Sequence, residues 1–293
     1  MDAINTDDFK FTGKKKLSQL PTKVEFKATE DEMKKQFKKT RKELSELQDK
    51  MYAHNKYSVL ICLQGMDTSG KDSLIREVFK DFNARGVVVH SFKTPNSTEL
   101  EHDYLWRHYI ALPEKGKFAV FNRTHYENVL VTRVHPEYIL NENIPGIDSV
   151  DDIPKHFWKK RYEQIVNFEN HIVSNGTIIL KFFLNLSKEE QRQRLLRRLE
   201  KPKHNWKFSP GDLKERKLWE KYFDYYGEAI EATSSENAPW YVVPADDKDL
   251  ARHIVLQAIF DALSKYTDIK FPELEDKVEN NLDFYRSELE NEK

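Results

Sequence analysis

The chain is predicted to fold as an α/β protein: a doubly wound, parallel sheet of five strands flanked by helices. Three observations carry this expectation. Five short segments rich in Val, Ile and Phe recur along the chain, helical patterns fill the intervals between them, and a glycine-containing turn joins the first strand to the next helix.

The predicted strands cover 58–63, 87–92, 118–121, 177–184 and 240–243. They are apolar on both faces, as strands buried inside a parallel sheet are. Helical patterns span 73–82, 99–112, 154–173, 188–199, 212–232 and 248–266, and strands alternating with helices imply crossover connections. Before the first strand, Thr29 and Glu32 make a capping box. Met33, Phe37, Leu44, Leu47 and Met51 then repeat on one helical stripe, which needs a sheet or a partner subunit to cover it. Residues 1–55 are therefore expected to form an arm and an amphipathic helix, 56–267 a single catalytic domain, and 268–293 an acidic tail. No internal repeat divides the chain.

Composition narrows the function. The 293 residues are 39% hydrophobic and 33% charged, enough for a core beneath a densely ionic surface. Acids and bases nearly cancel, at 49 against 48, so the chain lacks the basic field expected of a nucleic-acid coat protein. The single cysteine, Cys62, lies inside the first apolar run and reads as packing. No apolar segment reaches the ~18–20 residues of a membrane span, and the start carries no secretory h-region. The expected setting is the cytoplasm, without membrane or nucleic-acid partners.

The sharpest feature is Gly65-Met66-Asp67-Thr68-Ser69-Gly70-Lys71-Asp72, placed between a strand and a helix. This is the context of a Walker A phosphate loop. Gly65 and Gly70 allow the tight turn, and successive backbone N–H groups, including those of Thr68 and Ser69, form a nest for phosphate oxygens. Lys71 bridges terminal phosphates as a point charge. Asp72 stands where Ser or Thr usually holds magnesium, and Asp67 adds a second carboxylate. Two acids beside a phosphate cradle repel the substrate unless a cation lies between them. Mg²⁺, with Mn²⁺ as a substitute, is therefore expected on Asp67. Asp72 is read either as a second ligand or as a charge at the helix N-terminus.

The third strand runs into Asn122-Arg123-Thr124-His125-Tyr126-Glu127. Asn122 occupies the position of the usual metal-side Asp, Arg123 is placed to stabilise a moving phosphoryl group, and Glu127 to complete the metal's outer shell. A third cluster lies at 188–216, a predicted lid. Between Gln191 and Lys207 it carries seven cations against one acid, Glu200. Arg194 and Arg198 share a helical face, and Lys207 follows a Pro- and Asn-containing break. Lys93 and Arg107 either extend this basic groove or serve the fold. His102, His108, His125 and His135 lack companions at ligand spacing and read as packing or surface residues.

Four motifs in order resemble the polyphosphate kinase 2 family. They are Gln64-Gly65-Met66-Asp67-Thr68-Ser69-Gly70-Lys71-Asp72, Phe121-Asn122-Arg123-Thr124-His125-Tyr126-Glu127, Val131-Thr132-Arg133-Val134-His135-Pro136, and Asn205-Trp206-Lys207-Phe208-Ser209. The resemblance covers roughly residues 42–265. Asn122 followed by His125-Tyr126-Glu127 looks like class III of the family, where most members carry Asp before the arginine.

The resemblance implies a thymidylate-kinase-like P-loop core with a helical lid, Mg²⁺ dependence, and a homo-oligomer, dimer or tetramer. It also implies transfer of phosphate from inorganic polyphosphate to AMP and ADP. It sets Asp67 and Lys71 in the loop, Asn122, Arg123 and Glu127 in the second motif, and Arg133 facing phosphate. Two rival readings on the same sequence are an ATP-dependent nucleoside-monophosphate kinase and a non-catalytic P-loop module that binds nucleotide or nucleic acid.

Overall fold

In the computed structural model, which describes residues 4–292, one all-parallel sheet forms the centre. Its strands are β1 (Ser58–Gln64), β2 (Val87–Ser91), β3 (Phe118–Asn122), β4 (Thr177–Asn185) and β5 (Trp240–Pro244), in the order β2-β3-β1-β4-β5. The chain winds from β1 outward to β2, returns through β3, then crosses to β4 and β5. β1 therefore lies between β3 and β4, at the point where the direction of winding reverses. In such sheets ligands bind beyond the carboxyl ends of the strands at that point. The register sets Leu63 beside Asn122 and Gln64 beside Phe183, so the segments following β1 and β3 emerge side by side.

Alternation along β1 explains the two-sided core. Val59, Ile61 and Leu63 face a layer made by Leu44 and Met51 of the helix Glu30–His54, Leu74 and Val78 of Lys71–Val78, and Ile254 and Ile259 of Lys248–Leu263. Leu60 and Cys62 face the other way, against Phe121 and against Phe168 and Ile172 of the helix Phe157–Ser174. A third apolar group joins Tyr126, Tyr162, Phe183, Tyr226 and Trp240 under the helix Trp219–Thr233. The amphipathic stripe of Glu30–His54 is thus covered by this chain's own sheet layer. Thr29 caps the helix through the expected box with Glu32.

Four sequence expectations change. β2 is an edge strand and not a doubly buried one: Val88 and Val89 are each 46% exposed. The continuous helix over 99–112 is two single turns, Ser97–Leu100 and Trp106–Tyr109. Glu99 caps the first backwards through the Asn96 N–H, and the Asp103 carboxylate takes the Leu105 N–H. The helix over 212–232 breaks at Leu218 into Pro210–Lys217 and Trp219–Thr233, and a helix not foreseen, Glu127–Val134, follows the second motif. Residues 4–28 run against β5, where Lys10 bridges to Tyr241 antiparallel and the Phe11 N–H donates to the Trp240 carbonyl at 2.8 Å. The helix Leu282–Glu290 lies exposed near the C-terminal end.

Among the described residues no helix is long and apolar enough to cross a membrane. Leu44 has no exposed surface and packs in the layer beneath β1. Leu44→Ala is expected to cost about 2–5 kcal/mol of stability in urea denaturation. An unchanged midpoint would mean that the Glu30–His54 helix is not part of the cooperative fold.

Candidate active site

The loop between β1 and the helix Lys71–Val78 takes its shape from close packing. Gly65 has φ +148°, and a Cβ there would lie 3.0 Å from the Leu184 carbonyl oxygen of β4. Gly70 has φ +109°, and even Thr68 lies in the left-handed region at +67°. The Lys71 ammonium lies over the loop and donates to the Gly65 carbonyl at 2.6 Å. Burial, with Arg123 nearby, lowers its pKa to about 8.

The second motif meets this loop directly. Arg123 has φ +60°, a strained backbone for a non-glycine residue. Its Nη2 donates to Asp67 Oδ1 at 3.0 Å, and its Nη1 lies 3.6 Å from Glu127 Oε2. Those two carboxylates, Glu127 above all, hold the guanidinium firmly in its charged form. Asn122 Nδ2 donates to Asp72 Oδ1 at 2.8 Å. An amide fits there because an aspartate at 122 would set two carboxylates against each other.

Gln64, left without a role by the sequence reading, joins the two segments. Its Nε2 donates to Glu127 Oε1 at 3.0 Å and to Thr124 Oγ1 at 3.2 Å, while its Oε1 accepts from Tyr226 at 3.2 Å. The available signal was a polar amide ending an otherwise apolar strand.

The basic segment divides into two kinds of arginine. Arg194 is buried, and its donors are all engaged: Nη1 with the Thr68 and Ser69 carbonyls, Nη2 with those of Ala245 and Asp246, and Nε with Glu190. It braces the phosphate loop from outside and is not a free groove cation. Arg198 donates to the Lys207 carbonyl and to Asp212 Oδ2, at 3.0 and 3.1 Å, tying the lid across its break.

A groove of about 780 Å³ opens over the loop and the lid. Ten lysines and arginines line it against four aspartates. Asp67, Thr68, Ser69, Gly70, Lys71, Asp72, Lys93, Asn122, Arg123, Arg198 and Lys207 line it, and Arg194 borders it with its donors already engaged. Arg197 of the basic cluster also lines it, as do Arg76, Lys248 and Arg252, which were not assigned to the groove from sequence. Burial and the neighbouring Arg194 and Arg197 lower the Lys248 pKa to about 8.

On the other side of Arg123 lies a smaller cavity of about 270 Å³ with a mainly apolar wall, including Phe92, Pro95, Leu100, Tyr104, Val131 and Tyr138. A polar space of about 220 Å³, lined by Gly65, Asp67, Lys71, Glu127, His135, Glu215 and Tyr222, links it to the loop. Arg123 lines all three spaces. Arg107 lines the apolar cavity, but its guanidinium is occupied by the Lys93 carbonyl at 2.7 Å and Glu99 at 3.1 Å. Arg133 does not join the site: it donates to Glu228 at 2.6 Å and to the Tyr162 hydroxyl at 3.0 Å, and stacks over Tyr225.

Among the described residues no group of three or more His, Cys, Asp or Glu is arranged to hold a metal by itself. Asp67 and Asp72 flank Lys71 and both open onto the basic groove. That donor set fits a divalent ion whose shell is completed by phosphate oxygens and water.

The polyphosphate kinase 2 model matches residues 27–271. An ADP-polyphosphate phosphotransferase of Rhodopseudomonas palustris is 46% identical over 258 residues, covering 88% of each chain. An AMP/ADP-polyphosphate phosphotransferase of Meiothermus ruber is 46% identical over 220 residues, 74% of this chain and 77% of the relative. The crystal structure of polyphosphate kinase 2 from Arthrobacter aurescens superposes with a TM-score of 0.86 at 32% identity, covering 97% of this chain and all of that one. Matched over 27–271 by the family model and at 46% identity by relatives over most of its length, the chain belongs to the polyphosphate kinase 2 family.

Proposed function

We propose that the protein transfers phosphate reversibly from inorganic polyphosphate to AMP and ADP, making ADP and ATP. One observation carries the reading: Arg123 stands where a basic groove meets a partly open cavity with a mainly apolar wall. A flexible polyanion without bases suits the groove, and a nucleoside with a planar base suits the cavity. The polymer end then lies on the phosphate loop and Lys71, and the nucleotide phosphate enters through the polar space beside Glu127.

Transfer is direct and in line, with no covalent intermediate on the enzyme. Positioning and charge stabilisation are most of what such a step requires. Lys71 and the loop N–H groups hold the donor, and Arg123 neutralises the group in flight. Gln64 and Glu127 keep Arg123 on its line, and Arg197, Lys207 and Lys248 hold the polymer behind it. Magnesium, or manganese in its place, would be held by Asp67 with Asp72 beside it and would offset the negative charge of the phosphates.

The acceptance of both AMP and ADP rests on the Asn122 form of the second motif and on the similarity to a relative named for both nucleotides. A homo-oligomer, dimer or tetramer, is part of this reading; Val88 and Val89 at the β2 edge and, separately, Phe284 and Leu289 on the helix Leu282–Glu290 are exposed apolar side chains that a second subunit would cover.

The test is pure protein with AMP, Mg²⁺ and polyphosphate, free of ATP, with nucleotides separated by chromatography. ADP followed by ATP is expected, and turnover only with ATP as donor would overturn the proposal. Arg123→Ala is expected to lower kcat on the order of 10³-fold. A wild-type rate would remove Arg123 from the reaction. Asp67→Asn should abolish metal-dependent turnover, while retained activity would shift the metal to other ligands. Lys248 is cationic below its pKa of about 8 and loses its charge above it. The KM for polyphosphate should therefore rise as pH passes from 7 to 9, and Lys248→Arg should remove that part of the rise.

A further inference from the structure

Behind the second motif lies a buried polar cluster that the proposed chemistry does not use. Lys181, in the middle of β4, has no exposed surface, and Glu169 on the helix Phe157–Ser174 is 2% exposed. Lys181 Nζ donates to Glu169 Oε2 at 2.6 Å, to the Tyr126 hydroxyl at 3.0 Å and to the Thr233 carbonyl at 2.8 Å, which occupies all three of its protons. Glu169 Oε1 accepts from the Tyr126 hydroxyl at 2.7 Å and from His125 Nε2 at 3.1 Å. The ammonium also lies over the rings of Tyr126 and Trp240, 5.5 and 5.4 Å from their centroids. An isolated buried charge is costly, but here a single cation and a single anion meet with their hydrogen bonds filled.

The position of the cluster in sequence gives it meaning. His125 and Tyr126 sit between Arg123, with φ +60°, and Glu127, whose carboxylate faces the Arg123 guanidinium. Strained backbone at a site persists only where surrounding contacts over-determine it. The Arg123 side is held at the surface by Asp67. From below, among the described residues, the side-chain hydrogen bonds holding the His125 and Tyr126 rings run to Glu169, Lys181 and Thr233.

We infer that Lys181 and Glu169 are positioning residues, a buried ion pair that fixes the turn through His125 and Tyr126 and so sets Arg123 and Glu127 against the phosphate loop. The inference rests on the proposed role of Arg123. Neither residue reaches the groove or the cavities, so neither touches substrate. Their effect is on geometry: a small misplacement of the arginine weakens charge stabilisation in the transition state more than binding in the ground state.

Tyr126→Phe removes one hydroxyl and keeps the ring. It is expected to lower kcat on the order of 10- to 100-fold, with KM for AMP and for polyphosphate changed by less than about twofold. The paired replacement Lys181→Met with Glu169→Leu removes both charges together, which frequently preserves stability. It is expected to melt near the wild-type temperature while its kcat stays low.

Wild-type kcat in Tyr126→Phe would overturn the inference, as would a paired variant whose kcat returns together with its Tm. A paired variant that fails to fold leaves Tyr126→Phe to decide. Wild-type protein run beside them separates the two claims: wild type inactive with polyphosphate contradicts the proposed function, whereas active wild type with unaffected variants contradicts only the positioning role.

Discussion

The guanidinium of Arg194 holds the architecture of the site together. It takes two carbonyls from the phosphate loop and two from the turn after β5, and a carboxylate from its own helix secures its remaining contact. With those carbonyls turned outward to a cation, the loop keeps its turn, which the Ser69 N–H closes from within on the Met66 carbonyl at 3.1 Å. Close passage of β4 beneath Gly65 supplies the other constraint, since no side chain fits there. A buried arginine with its donors satisfied is stable where a partly satisfied one would be costly. The same residue couples the helix Lys188–Glu200 to the phosphate loop, so the two move as one unit.

Around this fixed loop the charges are sorted by place. The chain carries a net charge of only -1, yet its groove is strongly basic, so the compensating acids lie elsewhere. At the junction, Asp67 and Glu127 hold Arg123 between them, while Asn122 gives Asp72 a neutral neighbour. The arginine thus stands ready with its charge fixed and its orientation set before the phosphates meet. Preorganisation of this kind is what an electrostatically assisted transfer requires.

Much of this was legible in the sequence. The five strands fall within one residue of their expected ends, because apolar runs bounded by polar turns are unambiguous in a parallel sheet. The phosphate loop and Asn122, Arg123 and Glu127 come together because β1 and β3 are neighbours. What was missed has physical causes. A spacing of four places Arg194 and Arg198 on one helical face but does not say whether that face is covered by a loop or by solvent. Arg133 sits in a motif, yet its partners Glu228 and Tyr162 come from distant helices. The Glu127–Val134 helix is rich in Val and Thr, which have modest helix propensity, and tertiary packing decides its state. β2 reads as buried because its valines are apolar, while exposure at an edge depends on strand order. Lys181 appears in sequence only as a lone cation breaking an apolar strand, and its partner Glu169 lies on another element.

The central claim is that polymer and nucleotide occupy two sites that meet at Arg123. Calorimetric titration of AMP into the protein, first alone and then saturated with polyphosphate in the absence of divalent metal, tests it most directly. The account predicts one AMP per chain in both titrations, with affinity retained when polyphosphate is present. Displacement of AMP by polyphosphate, with apparent affinity falling in proportion to polymer concentration, would show a single shared site and contradict it.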